Sequence, residues 1–325
     1  MTKRPFRFSA NVPTTLQPVP AWQDALRQIE DAGFDTVAVA DHFTGGYSLE
    51  PMVALTAAAM CTSRLRLQTA VLGNDYRHPV LVHRMAATLD VLSGGRVELG
   101  LGAGWMTSDY EAAGLALDPP GRRIDRLEES IKILKGLFGK EPFSFAGKAY
   151  SVHALDGQPK PVQAPHPPLL IGGGGRRMLR IAGREADIVG VNANLKAGTV
   201  GTESIHDVSH EGMAAKVGWV REGAQNAGRS VDEIELSMAQ WLLHVTSSAT
   251  EATGVLEKIG ARVGIDPQWL EAAPGVLVGS VGRCVEKLEE LRDRYSISYI
   301  QVDAGPRSTN SIAAVAPVVA QLAGR

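Results

Sequence analysis

The feature that most constrains this chain is a repeated change of hydrophobic period. Short apolar runs of strand length alternate with longer stretches whose apolar residues recur at helical spacing. Eight runs read as strands: Phe6–Ala10, Thr36–Ala40, Leu65–Leu72, Val97–Leu101, Leu169–Ile171, Ile188–Val191, Ile234–Val245 and Tyr299–Val302. Most are continuously apolar, as strands covered on both faces should be. Helical patterns follow them, at about Pro20–Ala32, Pro51–Met60, Pro79–Gly94, Arg122–Phe138, Arg176–Arg184, His206–Ala227, Val281–Arg294 and Ser308–Ala323. Pro51 and Pro79 read as helix starts, because proline is tolerated in a first turn. Such alternation admits a closed barrel or a doubly wound open sheet. Eight units in 325 residues favour the barrel, which takes about 250 residues as one domain and more with insertions. The expectation is one α/β domain over residues 1–325, a (β/α)₈ TIM barrel. Insertions are expected after strands 4, 6 and 7, at about 139–168, 192–205 and 247–279.

Composition narrows the class of partner. Lys plus Arg total 33 and Asp plus Glu 35, a formal charge of -2, which gives no reason to expect nucleic acid or an anionic membrane. No stretch approaches the ~18 apolar residues of a membrane span, and the start MTKRPFRFSANVP lacks the apolar run of a signal peptide. Cytoplasm is the expected compartment. Two cysteines, Cys61 and Cys284, make no disulfide framework and read as reduced, buried thiols in helices.

In a barrel of this kind the loops after the strands build the site. Strand 2 ends at Asp41-His42, a possible acid/base pair or hydrogen-bond donor to a ligand ring. The alternative is that Asp41 caps a turn which His42 satisfies. After strand 3, Thr69-Ala70-Val71-Leu72-Gly73 has the small residues of a bulge that can press on a flat ring, or of an ordinary strand end. After strand 4, Gly102-Ala103-Gly104 lets backbone approach a ligand, and Trp105 reads either as a wall of the barrel mouth or as core. After strand 5, Gly172-Gly173-Gly174-Gly175-Arg176-Arg177 opens a helix. Free N–H groups there and two guanidinium groups point to a phosphate. The run is neither a P-loop nor a dinucleotide fingerprint. His206 and His210 have the spacing of a zinc pair but sit in a polar segment without HExxH, so no metal is expected.

These residues resemble those of the luciferase-like monooxygenase superfamily of flavin and deazaflavin barrels, and in particular its actinobacterial branch using the deazaflavin coenzyme F-420 (F420). The resemblance spans nearly the whole chain and rests on AGFDTVAVADHF, TAVLGNDYRHPV, LSGGRVELGLGAGW, GRRIDRLEESIKILKGLF, PPLLIGGGG and AGREADIVG. It implies catalytic roles for His42 and Asp41 near the reactive edge of the coenzyme, with His42 handling a proton. It implies a non-prolyl cis peptide at Ala70-Val71 backing the ring. Coenzyme contacts are implied for Asp41, Ala70, Val71, Ala103, Gly104, Ser108 and Gly172, Gly173, Gly174 and Gly175, with Arg176 and Arg177 as anion partners. Where the family's sugar-phosphate dehydrogenases carry a glutamate acid, this chain has Trp105, which argues against a glucose-6-phosphate substrate. Trp105, Asn192, Asn194 and Trp241 are candidate substrate walls, though each fits a structural role equally. The implied enzyme is an F420-dependent oxidoreductase acting on a small molecule, as a homodimer. Alternatives are an FMN-dependent monooxygenase on the same barrel and a non-catalytic flavin or deazaflavin binder.

Overall fold

The computed structural model describes residues 3–302 and 312–325. Its central sheet contains β1 (Arg7–Asn11), β2 (Thr36–Val39), β3 (Arg66–Thr69, resuming over Leu72–Gly73), β4 (Val97–Gly102), β5 (Leu169–Gly173), β6 (Ile188–Val191), β7 (Glu235–Ala239) and β8 (Ile297–Gln301). Neighbours pair in parallel in the order β3-β2-β1-β8-β7-β6-β5-β4. The circle closes where β3 meets β4, Leu67 facing Val97 and Gln68 facing Glu98. This is the expected (β/α)₈ barrel.

Local sequence explains the helix boundaries. Pro51, Pro79, Pro120 and Pro267 lie in first turns, where a missing N–H costs no helix bond. The Glu50 carboxylate accepts the Val53 N–H at 2.7 Å, satisfying one free donor of that helix end. Helix Pro79–Ser93 stops at Gly94, whose φ of 68° suits a residue without a side chain. The main apolar core lies between the barrel wall and the surrounding helices.

Polar groups fill the barrel interior below its rim. The fully buried Glu98 carboxylate takes Arg66 Nε at 2.6 Å, Gln68 Nε2 at 2.8 Å and the Tyr299 hydroxyl at 2.9 Å, besides a contact from Arg7. Arg7 also reaches Glu235 at 2.7 Å. Burial opposes the charge on Glu98, but Arg7 and Arg66 outweigh it and hold the carboxyl below its usual range. This layer closes the barrel beneath the site.

Several expected elements change when seen in three dimensions. The run Leu65–Leu72 is interrupted at Ala70–Val71, whose peptide bond is cis, as the resemblance implied. The run Ile234–Val245 is two strands. β7 ends at Ala239, and Leu242–Val245 leaves the barrel to pair with Val276–Gly279. Apolar residues continue across the break, with Met238 on one side and Leu242 and Leu243 on the other, so the pattern carried no mark of it. The insertion 139–168 holds the hairpin Phe143–Ala146/Ser151–Leu155, and 247–279 holds helices Ala249–Val263 and Pro267–Ala272. The helix expected at His206–Ala227 is split into Thr202–His206 and His210–Asn226. The last helix is described over Ile312–Leu322, and its expected start at Ser308 lies outside the described residues. Cys284 is buried, but Cys61 is only partly so.

Candidate active site

A cavity of about 560 Å³ opens at the C-terminal rim of the barrel. Its walls bring together the ends of β2, β3, β4, β5 and β6 and the start of the segment after β7. His42 and Gly172–Gly175 line the same space. Part of its floor is the Ala70–Val71 bulge, and glycines make room for that bulge. A Cβ at Gly100 would lie 1.9 Å from the Thr69 carbonyl oxygen, and one at Gly102 would lie 2.7 Å from Val71 Cγ2. The Thr69 hydroxyl and the Gly100 backbone exchange bonds of 2.9 and 2.8 Å, which pin the break. Val71 thus rises over β4 and packs with Leu170, Ile188 and Tyr299.

His42 is not paired with its chain neighbour. Its Nδ1 lies 2.6 Å from Oδ2 of Asp109, a fully buried carboxylate at the start of helix Thr107–Ala113. Asp109 Oδ1 also accepts Phe43 N–H at 3.1 Å, Thr44 N–H at 2.9 Å and the Thr44 hydroxyl at 2.7 Å. Burial pushes the Asp109 carboxyl up, but the bonds from Thr44 and His42 outweigh it and hold it below its usual range. An ionised carboxylate can only accept, so Nδ1 carries a proton, which leaves Nε2 as the ring atom that can take up or release one. The rings of Tyr47 and Trp105 lie 4.7 and 5.4 Å from the imidazole and fix its plane.

Asp41, expected to act with His42, is instead bound by Arg77 at 2.5 and 3.1 Å and by the Gly73 N–H at 2.9 Å. Forked pairing with a guanidinium engages both oxygens. Asp41 lines the cavity, but its bond to Gly73 ties the end of β2 to β3 where that strand resumes after the bulge.

The glycine run meets helix Arg176–Glu185 at Gly175, and among the described residues no side chain caps that helix end. Its first N–H groups lack intrahelical partners. A Cβ on Gly172 or Gly175 would find its nearest atom at 3.4 or 3.8 Å, so the backbone there is open to the cavity. Gly174 differs, since a Cβ would lie 2.1 Å from the Ala193 carbonyl oxygen. Close chain approach explains this glycine. Its own carbonyl accepts Lys216 Nζ at 2.5 Å, and Lys216 also pairs with Asp207 at 2.7 Å. Burial lowers the Lys216 ammonium below the usual lysine value, with Asp207 opposing.

The two arginines of the motif do not reach this space. Arg176 lies 3.4 Å from the Glu222 carboxylate, and Arg177 binds Glu128 at 2.8 Å, Gly121 O at 3.2 Å and also Asp125. Both are absent from the cavity lining and line a separate outer groove with Arg180 and Arg184. Consecutive residues of a helix diverge by about 100°, so a glycine run entering at the rim sends these side chains outward. Ser108 also lies outside the lining, its Oγ 2.7 Å from Thr44 Oγ1.

Ala103, Gly104, Trp105, Asn192, Asn194 and Trp241 do line the cavity. Gly104 has a φ of 76°, and the Tyr110 hydroxyl would lie 2.0 Å from a Cβ there, so only glycine fits. The Trp241 Nε1 is buried without a hydrogen-bond partner among the described residues, turned against Gly275 of the third insertion. His206 and His210 face different neighbours, the Trp269 ring at 4.5 Å and the Tyr295 hydroxyl at 2.7 Å. Three site residues escaped sequence reasoning: Asp109, Gln68 and Lys216. The first had no signal beyond an acidic residue after Thr107-Ser108. Lys216 did have one, a cation on the apolar stripe of Met213, Val217 and Val220.

Comparison with known proteins agrees with this geometry. Residues 4–274 match the sequence profile of the family described as luciferase-like monooxygenase. An FMNH(2)-dependent dimethylsulfone monooxygenase of Pseudomonas putida is 29% identical over 75% of this chain and 62% of its own. An F420-dependent glucose-6-phosphate dehydrogenase of Kineococcus radiotolerans is 32% identical over 50% of each chain. A 5,10-methylenetetrahydromethanopterin reductase of Methanopyrus kandleri is 30% identical over 65% of this chain and 59% of its own. Each of these alignments therefore spans less than two thirds of the relative. The crystal structure of the coenzyme F420 dependent tetrahydromethanopterin reductase of Methanopyrus kandleri superimposes with a TM-score of 0.75 at 21% identity, over 99% of this chain and 100% of that one. An F420-dependent secondary alcohol dehydrogenase in complex with an F420-acetone adduct superimposes with a TM-score of 0.77 at 17% identity, over 98% of this chain and 99% of that one. A profile match over most of the length, on a closed barrel whose bulge and glycine-rich strand end share one cavity, places this chain in the luciferase-like monooxygenase family of enzymes.

Proposed function

We propose that this protein transfers a hydride between the deazaflavin coenzyme F420 and a small organic substrate. The observation that carries the reading is the convergence of the Val71 bulge, the glycine run Gly172–Gly175 and the imidazole of His42 on one cavity. Those residues fit a flat, phosphate-bearing ring. Gly172 and Gly175 have room for a ligand atom where a side chain would stand, and the helix end beside them lacks a cap. Relatives named as F420-dependent favour the deazaflavin, while the Pseudomonas putida enzyme keeps FMN as the competing coenzyme.

Bound here, the deazaflavin would supply a two-electron hydride donor or acceptor. The glycine run would hold its phosphate, and Val71 would support one face of its ring. His42 is held by Asp109 with Nε2 free to accept a proton, so this atom takes the hydroxyl proton of an alcohol or, once protonated, gives it to a developing alkoxide. Trp105 stands beside His42 where related dehydrogenases would have an acid, which leaves proton handling to the imidazole. Trp105, Asn192, Asn194 and Trp241 would wall the substrate. A homodimer suits the exposed apolar side chains Val53, Met60, Leu81 and Leu92 on two helices packed against each other.

The test is titration of the purified protein with F420 and with FMN, followed by a screen of alcohols, enones and imines read from deazaflavin absorbance. Binding of F420 together with turnover supports the reading when His42→Ala abolishes the turnover and leaves the binding intact. Tight FMN binding with no F420 binding favours a monooxygenase. Activity unchanged in His42→Ala removes the assigned role.

A further inference from the structure

We propose that Lys216 is a positioning residue for the phosphate of the bound coenzyme, acting through the Gly174 carbonyl that it holds. The proposal rests on the reading of Gly172–Gly175 as the phosphate site. Lys216 projects from helix His210–Asn226, is 1% exposed and does not line the cavity. Its ammonium has two acceptors, Gly174 O at 2.5 Å and Asp207 Oδ2 at 2.7 Å.

An apolar residue would fill this position on the Met213–Val217–Val220 stripe without desolvating a charge. The ammonium is therefore explained by what it binds. A trans peptide is planar, and its carbonyl and the following N–H point in opposite directions. Drawing the Gly174 carbonyl toward Lys216 thus turns the Gly175 N–H away from that helix, on the side where both glycines line the cavity. Ala193 backbone packed against Gly174 limits rotation of this peptide.

The second acceptor extends the effect. Asp207 Oδ2 also takes the Asn194 N–H at 2.7 Å. The Nδ2 atoms of Asn192 and Asn194 lie 3.6 and 3.8 Å from the Cβ positions of Gly172 and Gly175. One buried ammonium therefore fixes the backbone donors of the nest and, through Asp207, the loop that brings two amide side chains beside it.

The experiment compares affinities for coenzymes with and without the phosphate. The pairs are FMN against riboflavin, and F420 against its phosphate-free deazariboflavin core, each titrated by fluorescence against wild type, Lys216→Met and Asp207→Asn. Wild type should favour the phosphorylated member of the pair it binds. In Lys216→Met that preference should fall about tenfold, with affinity for the phosphate-free member kept within about twofold. An unchanged preference overturns the proposal, and so does an equal loss for both members, the result of a merely structural role. Should Lys216→Met not fold, Asp207→Asn is read by the same ratio: a reduced preference supports the proposal and an unchanged one overturns it. A wild type that shows no preference removes the phosphate reading and the proposal together, whereas a preference indifferent to Lys216 removes the proposal alone.

Discussion

His42 Nδ1 stands 2.6 Å from Asp109 Oδ2, a carboxylate 67 residues away in sequence and fully buried. The contact sets the imidazole tautomer of a residue that lines the cavity. Asp109→Asn keeps the shape but lets the side chain donate to Nδ1, which favours the opposite tautomer. We expect kcat to fall about 100-fold with coenzyme affinity within about threefold of wild type. Steady-state kinetics beside a coenzyme titration decides this; an undiminished kcat would count against a catalytic His42. Because the fold lowers the Asp109 pKa, the pairing contributes above the ordinary carboxylate range and is lost as pH falls through the lowered value.

The glycines under the bulge are required for a steric reason. Gly100→Ala would set a Cβ 1.9 Å from the Thr69 carbonyl oxygen, and backbone must move. A loss of about 1–3 kcal/mol is expected in urea unfolding, together with weaker coenzyme binding. Gly218→Ala is the control. It lies in helix His210–Asn226 with nothing within 4 Å of a built Cβ. There alanine should stabilise by about 0.5–1 kcal/mol. Equal effects of the two substitutions would contradict this account of the bulge.

Arg176 and Arg177 should be dispensable for the coenzyme. Their guanidinium groups are engaged by Glu222, Asp125 and Glu128 on the outer face of the barrel. Arg176→Gln and Arg177→Gln are each expected to leave coenzyme affinity within about twofold and to cost under about 1 kcal/mol of stability, the range of exposed ion pairs. A tenfold loss of affinity in either variant would place that arginine at the phosphate after all.

His83 gives the fold a dependence on pH. Burial, reinforced by Lys160, lowers its pKa from 6.5 to about 4, and its Nε2 has no hydrogen-bond partner among the described residues. Between those values the unfolded chain binds a proton that the folded chain does not. Stability therefore falls as pH drops from 6.5 toward 4. His83→Gln should make that fall shallower by about one proton, read from urea unfolding at a series of pH values. The same slope in wild type and variant would exclude this histidine as the source.

Order along the chain was enough for the architecture. Strand-length apolar runs followed by helical patterns, with prolines at helix starts, specify a parallel sheet with covering helices. Closure then follows from the number of units. The glycine-rich end of β5 was legible because small residues at a strand end act on their own stretch of backbone, whereas the residues at Ala70–Val71 fitted an ordinary strand end as well, and only the family resemblance pointed to the cis peptide there. Partners were not legible. His42 binds Asp109 and not Asp41, Asp41 binds Arg77, and Gly174 binds Lys216, across separations of 67, 36 and 42 residues. Which side chains meet depends on helix phase and on the angle at which each chain segment leaves the barrel, and neither is written in local periodicity. Those two quantities sent Arg176 and Arg177 outward, ended β7 at Ala239 and brought a buried lysine beneath the glycine nest.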